Sequence, residues 1–360
     1  MKPFHHVEII AEAGVNHNGS LDRAYALIDA AVESGADVVK FQSFKSEKLV
    51  SRRAEKAEYQ KRNGEAGESQ LTMLKKLELS DEQHSRLIER CRERKIEFLS
   101  TPFDEPSLQL LTQTFRLARV KISSGDLTNA PLLLAAAQSG VNIILSSGMA
   151  NLQDIQEALE VLAFGYLNPG KIPSSQELTS ILARADAKRV VAEKVALLHC
   201  TSEYPAPFAD INLRAMVAIS EKFGLPGGLS DHSLGISAPV AAVALGAKII
   251  EKHFTLDKTL PGPDHQASLE PAELCAMVRS IREVELALGS TEKKPSPSES
   301  KNMKVARKSL IAARAIGKGE TFTTENLTVK RPGTGLSPRL YWDYLGKPAT
   351  RAYAEDEIIE

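Results

Sequence analysis

The sequence predicts an α/β protein in which eight parallel strands close into a (β/α)8 TIM barrel, followed by a small C-terminal domain. Short apolar, β-branched runs alternate with longer helical patterns, and eight such runs occur. A stretch rich in Pro and Ser near residue 290 then separates a final segment of different charge. Eight βα units close a barrel of this type, and a chain of 360 residues accommodates that barrel with an appendage.

The predicted strands are apolar runs that are too short for helices and are bounded by polar or turn residues. They cover residues 7–14, 37–44, 96–103, 119–126, 142–149, 195–202, 226–233 and 248–255. Helical periodicity predicts helices over residues 21–34, 81–94, 131–139, 152–162, 213–222, 237–245 and 271–288. An open, doubly wound sheet is the alternative, but it would be expected to carry a glycine fingerprint, and neither GxGxxG nor GxxxxGK[ST] occurs.

Two connections are unusually long. Residues 45–79 form a polar stretch of about 35 residues where about 2 to 6 are usual, which predicts a lid or substrate-binding segment, with a passive insertion as the alternative. Residues 165–194 are expected to be a surface elaboration. The run STEKKPSPSES is typical of a linker. The predicted organisation is a barrel over residues 1–289, a linker over 290–304 and an appended domain over 305–360.

Composition and charge exclude several classes of protein. Hydrophobic residues at 42% and charged residues at 25% are typical of a globular chain. The net charge of -1 provides no chain-wide attraction for nucleic acid or a membrane, although residues 301–360 carry eleven Lys and Arg against seven Asp and Glu. The dispersed Cys91, Cys200 and Cys275 predict neither disulfides nor a thiolate metal site. We expect a cytoplasmic protein with no nucleic-acid or membrane partner.

Polar side chains cluster at the predicted carboxyl ends of the strands, where a TIM barrel carries its catalytic groups. His232 and His253 end neighbouring strands, with Glu12, Asp231 and Glu251 expected nearby. Imidazoles and carboxylates together suit a first-row divalent ion. Hydrogen-bonded histidines without a metal are the alternative.

A second set of strand-end residues suits an anion. Lys40 and Lys121 end two different strands, and Thr101, Ser124 and Ser146 add neutral donors. These groups predict binding of a small ligand that carries phosphate and carboxylate. Schiff-base chemistry on Lys121 is the alternative, because a lysine in a barrel mouth can act as a nucleophile when its pKa is lowered.

Ten collinear runs, from about residue 8 to the C-terminal segment, carry these residues: AEAGVNHNGS, DVVKFQSFKSEKLVS, KAEYQ, LSTPFDE, VKISSGD, ILSSGM, LLHCTSEYPAPF, GLSDHS, EKHFTLDKTLPGPDHQASLEP and VKRPGTGLSP. Together they resemble the sialic acid synthase family, which makes nonulosonic acids from phosphoenolpyruvate and an N-acetylated hexose. The resemblance implies a TIM barrel with a C-terminal antifreeze-like (SAF) domain and a domain-swapped homodimer. It also implies a divalent metal, manganese first, with Mg²⁺ or Co²⁺ as alternatives.

The resemblance further implies roles for individual positions. The implied metal ligands are His232 and His253, and the implied phosphoenolpyruvate contacts are Lys40, Thr101, Lys121, Ser124 and Ser146. The implied residues near the sugar are Glu12 and Asp264, and Tyr204 is implied to lie between the two substrates. Arg331 is implied to enter the active site of the partner subunit and bind substrate there. Glu12, Tyr204 and Asp126 form the expected catalytic set, with Glu12 the first candidate for general base; Asp126 stands where many members have the longer Glu.

The implied reaction is a metal-dependent condensation that releases phosphate, with the metal acting as a Lewis acid on the sugar aldehyde. N-acetylmannosamine, which gives N-acetylneuraminate, is the first choice of sugar. A diacetamido-trideoxy hexose, which gives N,N'-diacetyllegionaminate or pseudaminate, is the alternative, and we expect the lid around residues 56–60 to discriminate between them. A non-catalytic carbohydrate-binding protein is the alternative from another class.

Overall fold

The structure is a computed structural model that describes residues 6–51, 53–57 and 68–360. The chain divides into two units, Met1–Gly289 and Ser290–Glu360. Within the described ranges, every helix is too short or too polar to cross a membrane.

The described part of the first unit contains eight parallel strands, which confirms the predicted fold class. They are β1 Glu8–Gly14, β2 Val38–Ser43, β3 Glu97–Pro102, β4 Arg119–Ile122, β5 Asn142–Ser146, β6 Val195–Cys200, β7 Gly227–Asp231 and β8 Ile249–His253. Their order is β3-β2-β1-β8-β7-β6-β5-β4, and β3 and β4, at the two ends of that order, lie against each other. The sheet therefore closes into a barrel.

All the barrel strands except β1 end one to four residues earlier than the sequence predicts. The clearest case is β4, which ends at Ile122 although the prediction continued to residue 126. Ser124–Asp126 form a single 3-10 turn there, and the Asp126 N–H donates to the Ser123 carbonyl at 3.1 Å. Because of this turn, the side chains after Ile122 no longer point alternately to the two faces of the sheet.

Helices connect the strands, and many begin at a side-chain cap. Ser80 and Gln83 form a capping box, as do Asn151 and Asp154. The predicted elaboration at residues 165–194 contains two further helices. The helix bounds in this unit are Leu21–Glu33, Ser46–Leu49, Gln70–Leu77, Asp81–Arg94, Glu105–Gln109, Ala130–Gln138, Leu152–Leu167, Ser175–Ile181, Ala185–Lys194, Leu213–Phe223, Ser237–Ala244 and Pro271–Leu288.

Inward-facing residues of the strands form two layers inside the barrel. The lower layer is a separate apolar cluster of Ile10, Val38, Leu99, Ile144, Leu198 and Ile249. Because side chains alternate along a strand, the position two residues later faces inward again. In these strands it is occupied by Glu12, Lys40, Thr101, Ser146, Cys200 and Glu251. The apolar layer closes the barrel from below, and the second layer forms the floor of a cavity.

The excursion after β2 forms a small apolar cluster of its own. Its helices Ser46–Leu49 and Gln70–Leu77 pack with residues that follow the first three strands. The cluster consists of Val15, Phe44, Met73, Leu74 and Leu77, with half-buried Leu49, Val50 and Phe103. Residues 58–60 of the predicted discriminating lid lie outside the described residues.

The second unit contains an antiparallel pair, β9 Ser309–Ala312 and β10 Leu327–Lys330. Its helices are Pro297–Ala306 and Tyr341–Tyr344, and its core includes Leu310, Ile316, Phe322, Leu327, Tyr353 and Ile359. The predicted linker over 290–304 is therefore partly helical. Ser296 accepts a hydrogen bond from the Glu299 N–H at 3.2 Å and Pro297 takes the first helical position, so the Pro and Ser residues here start a helix.

Candidate active site

A cavity of about 470 Å³ opens at the carboxyl ends of the barrel strands. All but two of the predicted site residues line it, although they come from eight different strands or the loops that follow them. Those that line it are Glu12, Lys40, Thr101, Lys121, Ser124, Ser146, Tyr204, His232, His253 and Asp264.

Four buried charges form the centre of the floor, and we call Glu12, Lys40, Lys121 and Glu251 the floor tetrad. Lys40 Nζ lies 2.9 Å from Glu12 Oε2 and 3.5 Å from Glu251 Oε2. Lys121 Nζ lies 3.7 Å from Glu251 Oε1, and the Ser230 hydroxyl donates to the same oxygen at 2.8 Å. None of the four residues is more than 4% exposed. While Glu12 is ionised, two positive and two negative charges therefore balance one another away from water.

Burial and mutual attraction give the two carboxyl groups of the tetrad different proton affinities. Burial raises the pKa of Glu12 to about 7, against the opposing charge of Lys40. Burial also acts on Glu251, but Lys121 and Lys40 outweigh it and lower the pKa of this carboxyl. Glu251 is thus the fixed negative charge, and Glu12 is the group that can exchange a proton near neutral pH.

The two lysines also differ in their environment. Burial disfavours the charge on Lys40, but Glu12 and Glu251 outweigh it and raise the pKa of the lysine. Burial lowers the pKa of Lys121, with Glu251 opposing and the charge of Lys40 adding to the effect. Lys40 is therefore the more firmly charged of the two.

Hydroxyl groups lie beside both lysines. Lys40 Nζ donates to Thr101 Oγ1 at 3.1 Å, and Lys121 Nζ donates to Ser146 Oγ at 2.5 Å. Ser124 Oγ accepts from the Gly148 N–H at 2.9 Å. The structure thus brings together the whole set of residues that the sequence predicted for an anion.

The two predicted metal-binding histidines face the same cavity. The ring centroids of His232 and His253 are 5.4 Å apart, and the Tyr204 ring stacks on His232 at 4.1 Å. His232 Nδ1 donates to the Thr201 carbonyl at 2.7 Å, so in the neutral ring the lone pair is on Nε2. His253 Nδ1 lies 3.9 Å from Asp264 Oδ2.

The surroundings of His253 fit a divalent ion. Its Nδ1 is buried and has no hydrogen-bond partner among the described residues. Burial, reinforced by His232, holds the pKa of His253 well below its usual range, so the imidazole is neutral as a ligand must be. Gly14 leaves room beside it, because a Cβ there would lie 3.5 Å from His253 Cε1 and 3.2 Å from Glu12 Oε1.

No cluster of three or more His, Cys, Asp or Glu side chains in the described ranges is arranged to hold a metal ion. The protein therefore offers two imidazoles, with Asp264 beside one of them; burial raises the pKa of this carboxyl to about 6. Two imidazoles as the protein ligands of a metal ion would leave several coordination positions for water or substrate. That arrangement fits a catalytic metal centre and differs from a closed structural one.

Two predicted site residues do not line the cavity. Asp126 accepts from Ser123 Oγ at 2.7 Å and from Asn129 Nδ2 at 3.0 Å, so in this structure both carboxylate oxygens hold the turn after β4. Its place in the catalytic set stays a prediction. Arg331 belongs to the second unit, where it follows β10 and is exposed.

Asp231, expected near the metal, also faces away from the cavity. It accepts a hydrogen bond from Lys252 Nζ at 2.5 Å, and both residues are almost fully buried. Asp231 directly follows Ser230 in β7, and Lys252 directly follows Glu251 in β8. Ser230 and Glu251 line the cavity, so strand alternation places Asp231 and Lys252 on the opposite face. The same alternation, counted from the inward-facing Ile249, places Glu251 in the cavity, as expected from its position near the two histidines.

Comparisons with known proteins agree with this fold. Residues 27–293 match the NeuB family and residues 307–360 match the SAF domain. The chain therefore belongs to the NeuB family, which confirms the resemblance found in the sequence, and it is an enzyme of the nonulosonic acid synthase class.

Individual relatives refine this assignment. The chain is 50% identical over 351 residues to an N,N'-diacetyllegionaminic acid synthase of Campylobacter jejuni, and the match covers 98% of each protein. It is 46% identical over 330 residues to an N,N'-diacetyllegionaminic acid synthase of Legionella pneumophila, covering 92% of this chain and 86% of that one. The crystal structure of an N-acetylneuraminic acid (sialic acid) synthetase from Leptospira borgpetersenii is 36% identical with a TM-score of 0.66, covering 83% and 91%.

Proposed function

We propose that the protein condenses phosphoenolpyruvate with a diacetamido-trideoxy hexose to give N,N'-diacetyllegionaminate and phosphate. The observation that carries the reaction is the floor tetrad with its hydroxyl groups, beside an imidazole pair in one cavity. The choice of sugar is supported by identities of 50% and 46% to two N,N'-diacetyllegionaminic acid synthases, against 36% to a sialic acid synthetase. These relatives favour the alternative sugar over N-acetylmannosamine, the first choice from sequence.

Phosphoenolpyruvate carries the charges and acceptors that the floor can bind. Lys40 and Lys121 supply two cations, and Thr101, Ser124 and Ser146 supply hydroxyl donors. Charge-assisted hydrogen bonds contribute about 1.5 to 3 kcal/mol each, so a few of them give micromolar affinity. The floor would hold the enol rigidly, and positioning of this kind contributes several kcal/mol to the lowering of a barrier.

The reaction forms one carbon–carbon bond and breaks one carbon–oxygen bond. The methylene carbon of phosphoenolpyruvate attacks the aldehyde carbon of the open-chain sugar, whose oxygen becomes a hydroxyl. A water oxygen adds to the central enol carbon, and phosphate leaves with the bridging oxygen. One proton of the water ends on the new hydroxyl and the other on phosphate. Glu12, with its pKa of about 7, is the first candidate to carry a proton between them.

His232 and His253 would hold the divalent ion, manganese first and Mg²⁺ or Co²⁺ next. When bound there, such an ion supplies Lewis-acid polarisation of the sugar aldehyde. Tyr204, stacked on His232, and Asp264, beside His253, would orient the sugar at the same end of the cavity.

We further propose that the working enzyme is a domain-swapped homodimer in which Arg331 reaches the partner's cavity. The exposure of Arg331 on the basic second unit supports this, as does the family resemblance. The test is co-expression of Arg331→Ala with His253→Ala, each inactive alone. Mixed dimers should regain one complete site, and a lack of recovery would argue for a site built within one chain.

The decisive experiment for the function is a panel of acetamido sugars with phosphoenolpyruvate and manganese, read by the mass of the product and by phosphate release. The diacetamido-trideoxy hexose should give one phosphate for each product molecule formed, and reactions without phosphoenolpyruvate serve as the control. Faster conversion of N-acetylmannosamine would return the assignment to N-acetylneuraminate. Sugar binding without product would indicate the non-catalytic alternative.

A further inference from the structure

One side of the active-site cavity is apolar. We call it the apolar wall, and it consists of Leu49, Val50, Met73, Leu74, Leu77 and Phe103. The three residues from the helix Gln70–Leu77 are 6% to 8% exposed, so packing fixes their positions. Ala57 and Gln70 also line the cavity from the same excursion but lie outside the apolar cluster.

The apolar wall and the charged floor occupy different levels of the cavity. Phe103 comes two residues after Thr101, and Val15, which packs against the wall, comes three residues after Glu12. The wall therefore stands beyond the floor, on the side of β1 to β3, while the imidazoles come from β7 and β8. Because the floor groups suit phosphoenolpyruvate and the imidazole end would hold the aldehyde, the wall is left for the far end of the sugar.

We infer that the apolar wall selects a sugar whose terminal carbon is a methyl group and disfavours one that ends in a hydroxymethyl group. This inference rests on the proposed function, since a diacetamido-trideoxy hexose has such a methyl and N-acetylmannosamine does not. A methyl placed on these side chains leaves water and loses no hydrogen bond. A hydroxyl in the same place loses its water and gains no partner from the wall.

Two sugars that differ only at the terminal carbon test the inference. They are the diacetamido-trideoxy hexose and the diacetamido-dideoxy hexose that keeps the terminal hydroxyl. The value of kcat/KM for each is measured by phosphate release with saturating phosphoenolpyruvate and manganese. The wild-type enzyme should prefer the deoxy sugar on the order of 100-fold, the discrimination that an apolar pocket achieves against an added hydroxyl.

Met73→Gln adds a donor and an acceptor to the apolar wall at nearly constant side-chain length. It should lower the preference for the deoxy sugar roughly tenfold and leave the KM of phosphoenolpyruvate unchanged, because the floor is untouched. Phe44→Leu is the matched control, since Phe44 packs in the same cluster but does not line the cavity. It should keep the wild-type preference. Val50→Thr, which adds a hydroxyl at constant volume, replaces Met73→Gln if that variant does not fold.

The outcomes separate this inference from the proposed function. Suppose that the wild-type enzyme converts both diacetamido sugars and that the ratio of their kcat/KM values is near one. The wall then does not select the methyl group, and the proposed function stands. An equal loss of preference in Phe44→Leu and Met73→Gln also overturns the inference, because general loosening would then explain it. If the enzyme converts N-acetylmannosamine and neither diacetamido sugar, the proposed function itself is overturned.

Discussion

Replacing Glu251 by Gln would remove one charge from the floor tetrad and keep the shape of the side chain. The carboxylate lies 3.5 Å from Lys40 Nζ and 3.7 Å from Lys121 Nζ. At an effective dielectric constant of about 20, each pairing amounts to about 4.5 to 4.7 kcal/mol before desolvation is subtracted. Removing one partner of a buried pair costs about 3 to 5 kcal/mol net, because the remaining charge is left uncompensated. We expect a loss of this size in the free energy of unfolding.

Thermal unfolding of the ligand-free enzyme in phosphate-free buffer measures this loss. At about 2 °C for each kcal/mol, the Tm of Glu251→Gln should fall by about 6 to 10 °C. Glu82→Gln is the matched control, because Glu82 is 74% exposed and pairs with Arg86 on a helix surface. Its Tm should change by less than about 1 °C.

Added anion gives a second readout of the same substitution. With Glu251 neutralised the floor carries one excess positive charge, so inorganic phosphate should raise the Tm of Glu251→Gln more than that of the wild-type enzyme. An unchanged Tm in Glu251→Gln, or equal stabilisation of both proteins by phosphate, would refute the balanced tetrad.

Three further substitutions test the chemical roles. His253→Ala should abolish manganese binding in calorimetry and metal-dependent phosphate release; full activity with a chelator present would contradict the metal assignment. Lys121→Arg should raise the KM of phosphoenolpyruvate roughly tenfold, because the larger guanidinium disturbs the 2.5 Å contact with Ser146, whereas borohydride trapping of substrate on Lys121 would support the Schiff-base alternative. Wild-type kcat/KM should fall tenfold per pH unit below about 7, because protonated Glu12 cannot accept a proton, and this limb should be absent from the pH profile of Glu12→Gln.

The fold could be predicted because its signals are local. Each barrel strand is an apolar run, and the number of runs identifies the architecture. Strand ends were predicted less well because strand and turn compete within a few residues. At Ser123 and Asp126 the side-chain hydrogen bonds of the turn outweigh continuation of β4, and a propensity argument does not include them.

Site residues on the strands were predictable from chemistry, but their direction needed the register. Glu251 and Asp231 looked equivalent in the sequence, since both are acidic and near the end of a strand. Counting by two from the inward-facing Ile249 gives Glu251, and the register of β7 with β8 pairs Glu251 with Ser230, so Asp231 faces the other way. The apolar wall could not be predicted, because Met73 and Leu77 form an ordinary helical stripe in sequence and only the fold shows that this stripe borders a cavity.

The separation of the apolar wall from the floor has a consequence for how such enzymes diversify. The floor tetrad belongs to the strand ends of the barrel, whereas most of the wall belongs to one stretch of chain within residues 45–79. Under the proposed function, exchange of that stretch would change the surface that faces the sugar and keep the four residues of the tetrad. A new sugar preference could therefore arise by exchange of this segment while the barrel stays the same, as binding loops vary on a constant immunoglobulin framework. The same modularity makes the stretch the natural unit to transplant when a different nonulosonic acid is wanted.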